Sequence, residues 1–174
     1  MKELLELGQI ERQLIVYDVF LTFDQITYGD IRFVLEKFER RTLQRDIRDL
    51  IDAGLLLVKY NKRENAYEHM GDPTGEINYR NGISNKKIQH LKRLQRLAGC
   101  MTLISESDPV GTYFKMFPQA SERMRQRDFE TLRNIGFEAG YNRHYKNFEV
   151  INSMNGPYDG YGIFIENGKM MRYL

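Results

Sequence analysis

Apolar residues along this chain recur at helical spacing in two places, and each helical stretch runs into short β-forming segments. Leu43, Ile47, Leu50 and Ile51 fall at i, i+4, i+7 and i+8. That is one stripe of an amphipathic helix of about four turns, and Gly54 stands where a left-handed C-cap would end it. Leu55 to Tyr60 then reads as a strand, Asn61 to Asn65 as a polar turn, and Ala66 to His69 as the returning strand. Upstream, Leu7, Ile10, Leu14, Ile15 and Val19 mark a first helix, and Ile31, Val34, Leu35 and Phe38 a short second one.

The same layout returns. Residues 41–55 align without gaps on residues 123–137, sharing the frame R-x-x-Q-R-D-(I/F)-x-x-L-x-x-x-G-(L/F). A repeat of this kind dictates the architecture of the chain. The second copy continues likewise, with Phe137 to Tyr141 as a strand, residues 142–147 as a tip and Phe148 to Ile151 as the return. Ahead of it, Ile88, Leu91, Leu94, Ala98 and Met101 form a long helix. Tyr113, Phe114, Met116 and Phe117 form a short one that Pro118 ends, and Gly29 and Gly111 hold equivalent places.

A helix leading directly into a β-hairpin, twice, gives the expected fold: mainly α with small β-hairpins, an α+β chain built as a tandem winged helix-turn-helix. The expected boundaries are residues 1–70 for the first domain, 71–85 for a Gly-, Pro- and Asn-containing linker or loop, and 86–174 for the second. Past residue 151 the second copy carries an addition without counterpart in the first. Tyr161 to Ile165 and Lys169 to Tyr173 flank Asn167-Gly168, the dipeptide of a tight β-hairpin.

Composition narrows the class without deciding it. The 174 residues are 41% hydrophobic, enough for a core. A formal charge of only +2 means that attraction to a polyanion must come from local clustering. Cys100 is the single cysteine, so no intramolecular disulfide forms, and its place in the apolar run 97–101 reads as a small buried hydrophobe. The acidic start lacks the cationic, then apolar, layout of a signal peptide, and no stretch approaches a membrane span. A soluble cytoplasmic protein without membrane partners is expected.

The segment Glu39-Arg40-Arg41-Thr42-Leu43-Gln44-Arg45-Asp46-Ile47-Arg48-Asp49-Leu50, followed by Ala53-Gly54-Leu55, resembles the recognition helix of DeoR-like winged-helix regulators, including the N-terminal domain of WYL-type regulators. The likeness covers roughly residues 8 to 70, and a weaker one covers 86 to 151. It implies a transcriptional regulator that binds double-stranded DNA with the start of this helix. Arg40, Arg41, Thr42, Gln44 and Arg45 would then meet DNA, joined through the repeat by Ser121, Arg123, Gln126 and Arg127. Arg48 and Arg125 on the same helices are further expected DNA contacts, and Lys62, Arg63, Arg143 and Lys146 at the wing tips suit a minor groove. Two departures from the family pattern matter. Glu39 stands where an N-capping Ser is usual, a cap that Ser121 restores, and Arg125 replaces the apolar residue at Leu43. The resemblance does not extend to an effector or WYL domain, so no sensed small molecule is identified.

The cations on the first recognition helix are interleaved with Asp46, Asp49 and Asp52, which makes it locally neutral. The second is more basic, and the helix before it carries Lys86, Lys87, Lys92, Arg93 and Arg96 as a candidate phosphate-facing stripe. Asp46 and Asp128, each following an arginine, read as structural braces. His69, His90 and His144 have no metal-ligand spacing, and the phosphate-loop and nucleophile-elbow motifs are absent. No catalytic residue, metal or cofactor is expected. The competing reading is a winged-helix module that docks a protein partner or a second copy of itself, as a homodimer or an accessory protein of a phage or mobile element.

Overall fold

The computed structural model describes residues 6–23, 25–79, 82–103, 108–142, 147–152, 163–166 and 169–172, with side chains through residue 137 outside the gaps and residues 102–103. It is mainly helical, with small antiparallel sheets. Helix α1 (Gln9–Thr22), strand β1 (Gln25–Thr27), α2 (Tyr28–Val34) and α3 (Arg40–Asp52) precede the hairpin of β2 (Val58–Asn61) and β3 (Ala66–His69). Helices α4 (Asn85–Leu103), α5 (Pro109–Met116) and α6 (Glu122–Asn134) precede a second hairpin, β4 (Glu138–Asn142) with β5 (Asn147–Asn152). The bounds of α3 and α6 stand at the same offset as the sequence repeat.

Strand β1 was not expected. It pairs with β3 through Gln25↔Glu68, Ile26↔Tyr67 and Thr27↔Ala66, giving a three-stranded sheet in the order β1-β3-β2. Its one buried residue is Ile26, too little for alternation to show in the sequence. Strands β6 (Ile163–Glu166) and β7 (Lys169–Arg172) pair antiparallel, with Glu166 opposite Lys169, while the Asn167-Gly168 turn expected between them lies outside the described residues.

Both third helices end alike. Gly54 and Gly136 take φ of 69° and 95°, and the amides of Leu55 and Phe137 donate back to the carbonyls of Leu50 and Leu132, each at 3.0 Å. Gly54 N–H also donates to Ile51 O at 2.9 Å, and Gly136 N–H to Arg133 O at 3.1 Å. These are two Schellman caps, the ending that glycine favours. The stripe Leu43, Ile47 and Leu50 is buried and Ile51 half-buried.

Residues 72–79 form neither helix nor strand, and they are fastened to the end of α3. The Gly75 and Asn78 amides donate to Gly54 O and Asp52 O at 3.0 and 2.8 Å, and Gln95 Nε2 donates to Gly75 O at 2.8 Å. The core does not divide at the loop. Leu14, Phe20, Leu43 and Leu50 belong to the same buried cluster as Leu91, Leu94, Tyr113 and Leu132. No described helix is long and apolar enough to cross a membrane.

Candidate functional site

Folding separates the charges that the linear sequence interleaves. On α3 every aspartate turns inward: Asp46, Asp49 and Asp52 are buried, while Arg40, Arg41, Gln44, Arg45 and Arg48 are exposed and Thr42 is half-buried. The inward acids have partners. Arg12 Nε donates to Asp46 Oδ2 at 2.5 Å and its Nη2 to Oδ1 at 3.1 Å. Asp49 accepts from Gln13 Nε2 at 2.9 Å and pairs with Lys87. Burial pushes the Asp46 carboxyl above its usual range, and the Arg12 guanidinium opposes that rise. The exposed face of α3 therefore contains no acid, although the helix as a whole is nearly neutral. Glu39, the residue before it, makes no side-chain cap.

Helix α6 repeats the bracket. Arg96 Nε donates to Asp128 Oδ2 at 2.5 Å and its Nη2 to Oδ1 at 3.2 Å, and the Tyr113 hydroxyl donates to Oδ2 at 2.9 Å. Ser121 caps the helix, accepting from the Met124 amide at 3.2 Å, the role expected from its position. The exposed residues are Glu122, Arg123, Met124, Gln126, Arg127, Glu130 and Arg133.

Three expectations change here. Arg125 is buried and does not contribute to the exposed face: its guanidinium pairs with Glu122 and stacks 5.1 Å from the Phe129 ring centroid. An arginine stands where α3 has Leu43, and its stem and head find apolar and acidic neighbours instead of DNA-facing space. With Arg125 withdrawn and Glu122 and Glu130 exposed, the second face is the less basic of the two, the reverse of the sequence reading. The stripe on α4 is also largely committed, with Arg96 bracketing Asp128, Lys87 paired with Asp49, and Arg93 Nη2 donating to Thr131 Oγ1 at 3.2 Å. Lys86 and Lys92 are exposed.

Arg40 has a local task as well. Its guanidinium lies 4.9 Å from the Tyr28 ring centroid and 3.5 Å from the Tyr60 hydroxyl, which donates to Asn65 at the hairpin tip. It thus ties the start of α3 to the hairpin. Lys62 and Arg63 at that tip are exposed, whereas Arg143 and Lys146 lie outside the described residues.

The arginines that hold Asp46 and Asp128 were missed in the sequence. Sliding α1 along α4 by two positions more than the offset of the third helices superimposes Leu7 on Leu91, Ile10 on Leu94 and Arg12 on Arg96. That match was the available signal. The same shift equates the Gln9–Asp49 hydrogen bond of 3.3 Å with Arg93–Thr131.

His69 Nε2 lies 3.1 Å from Phe20 O and His90 Nε2 2.9 Å from Gln13 Oε1, while His144 is outside the described residues. No group of three metal-ligating side chains occurs among the described residues. An open cleft of about 690 Å³ along the length of α6 is lined by Arg93, Arg96, Arg123 and Arg127 together with Glu11, Asp128 and Glu130, so its charge is mixed. No protein-family model, curated protein or solved structure matches this chain.

Proposed function

We propose that the chain is a double-stranded DNA-binding transcriptional regulator built from two winged-helix modules, with α3 and α6 as recognition helices. One observation carries the reading: Arg41, Gln44 and Arg45 are exposed together on the first turns of α3, Arg123, Gln126 and Arg127 recur so on α6, and the aspartates interleaved with them are buried. Cations meet phosphates, and forked Arg and Gln side chains reach base edges in the major groove. Lys62 and Arg63 on the hairpin tip would meet the backbone or minor groove beside α3. The resemblance to DeoR-like regulators agrees with this face and adds its expectation of a DNA-reading helix.

Gel shift on duplexes recovered from a genomic-fragment selection tests the proposal. Binding weakens with rising salt, and Arg41→Ala or Arg45→Ala lowers affinity by about 1–3 kcal/mol where the side chain reads a base. Where it meets a phosphate, the substitution reduces the salt slope by about one. Lack of duplex affinity at low salt would refute the proposal. The docking alternative has Met124 in its favour, exposed on α6 where α3 carries Thr42. Under that alternative, DNA affinity is indifferent to Arg123 and Arg127.

A further inference from the structure

Copies joined head to tail touch through unlike surfaces, and no contact has a reciprocal. The two halves of this chain touch through like surfaces. Helix α1 packs against its own equivalent, α4, and each of the pair also reaches the third helix of the other half, α1 touching α6 and α4 touching α3. The polar contacts repeat this exchange. Asn134 Nδ2, in the last turn of α6, donates to Glu11 Oε1 on α1 at 2.8 Å. Gln95, at the position on α4 equivalent to Glu11, donates through Nε2 to Ala53 O at the end of α3 at 2.7 Å. Reciprocity of this kind is the mark of an isologous interface, in which residue i meets j and j meets i, and it places an approximate two-fold axis between α1 and α4.

Resting on the DNA-binding reading above, the geometry points to a single chain that recognises an imperfect inverted repeat, α3 meeting one half-site and α6 the other in the opposite orientation. Helix-turn-helix dimers obtain a palindromic preference from two chains related by a dyad. Here the dyad lies inside one chain. The half-sites resemble each other because Arg41, Gln44 and Arg45 recur as Arg123, Gln126 and Arg127. They differ because Arg40 and Arg48 become Glu122 and Glu130, which makes the α3 half-site the one held more strongly through phosphate.

Selection of randomised duplexes by the full-length chain, with the mass of the recovered complex measured, tests this inference. The expected product is one chain per duplex and two related half-sites in opposite orientation. Arg45→Ala then weakens the complete site about tenfold but has no effect on a duplex whose α3 half-site is already scrambled. Arg127→Ala behaves likewise for the other half. Because both side chains are exposed, neither variant disturbs the core. A direct repeat, a lone half-site, or an inverted repeat occupied by two chains overturns the inference and leaves DNA binding standing. Lack of affinity for any duplex overturns both.

Discussion

Cys100 lies fully buried on α4, and the loss of water around it pushes its thiol up from an ordinary 9.0 to about 12, with Asp128 adding to the rise and Arg96 opposing it. A thiol that keeps its proton is a poor nucleophile. At pH 8 iodoacetamide is expected to leave the folded chain unmodified for as long as it takes to alkylate the urea-unfolded chain fully, as read by mass. Equal rates would contradict the burial. The folded thiol also ionises later than the unfolded one, so its contribution to stability is complete below pH 9 and lost between pH 9 and about 12. Cys100→Ala should flatten the fall in stability across that window without abolishing it, since burial and the bond to Asp128 push the Tyr113 hydroxyl in the same direction. Gly54 is constrained twice over. Its φ of 69° is left-handed, and a Cβ there would stand 2.3 Å from Glu76 O in the connecting loop. Gly54→Ala is therefore expected to cost more than about 1 kcal/mol, the upper end of what the backbone preference alone removes, in urea denaturation.

At the scale of elements, the bracket of first helix to third helix is the unit that repeats. Arg12 with Asp46, and Arg96 with Asp128, each put a charge on the first helix against a carboxylate with 1% exposure. Removing one partner of such a pair leaves a buried charge alone, so Asp46→Ala or Arg12→Ala should each destabilise by about 3–5 kcal/mol. Arg12→Met combined with Asp46→Leu should recover most of that loss, because well-packed apolar side chains can replace a buried pair. A double-mutant cycle in urea measures the coupling, and additive losses would show that the two side chains act separately. The third helices, their caps and both hairpins were legible in the sequence because periodicity and glycine placement are local signals that the repeat displays twice. Ser121 as a cap and Asp46 and Asp128 as braces were legible for the same reason. The bracketing arginines were not, since each lies more than thirty residues from its partner and nothing local in the chain marks which cation meets which acid. The basic face was legible in its membership but not in its charge: whether Asp49 cancels Arg48 depends on which side of α3 each occupies once the core forms. Arg125 misled for the converse reason, an arginine at a position whose equivalent, Leu43, is core.

The whole molecule inherits its behaviour from the continuity of that core. Leu50 on α3 and Leu132 on α6 belong to one buried cluster, and the hydrogen bonds of Glu11 with Asn134 and of Gln95 with Ala53 join the halves along both sides of the α1–α4 contact. If the halves share their stability, a cavity opened in one is felt in the other. Leu50→Ala removes a fully buried side chain and should cost about 2–5 kcal/mol. Native-state hydrogen exchange should then show protection at the α6 amides falling as far as at the α3 amides, because the slowest amides in both helices open only with the whole fold. Leu132→Ala should do the same in reverse. Unchanged protection across α6 in the Leu50→Ala protein would mean that each half folds by itself and that the α1–α4 contact merely docks them. Cooperative unfolding also bears on the proposed recognition of DNA. Under that proposal, α3 and α6 carried on one continuous core keep a fixed separation, so engagement of the first half-site presents the second at high effective concentration only in duplexes whose spacing fits. A variant that loosens the joint between the halves while leaving the exposed faces of both helices intact, such as Gln95→Ala, which removes the bond from α4 to Ala53 O, should therefore broaden the range of half-site spacings that the chain accepts before it weakens binding to either half-site alone.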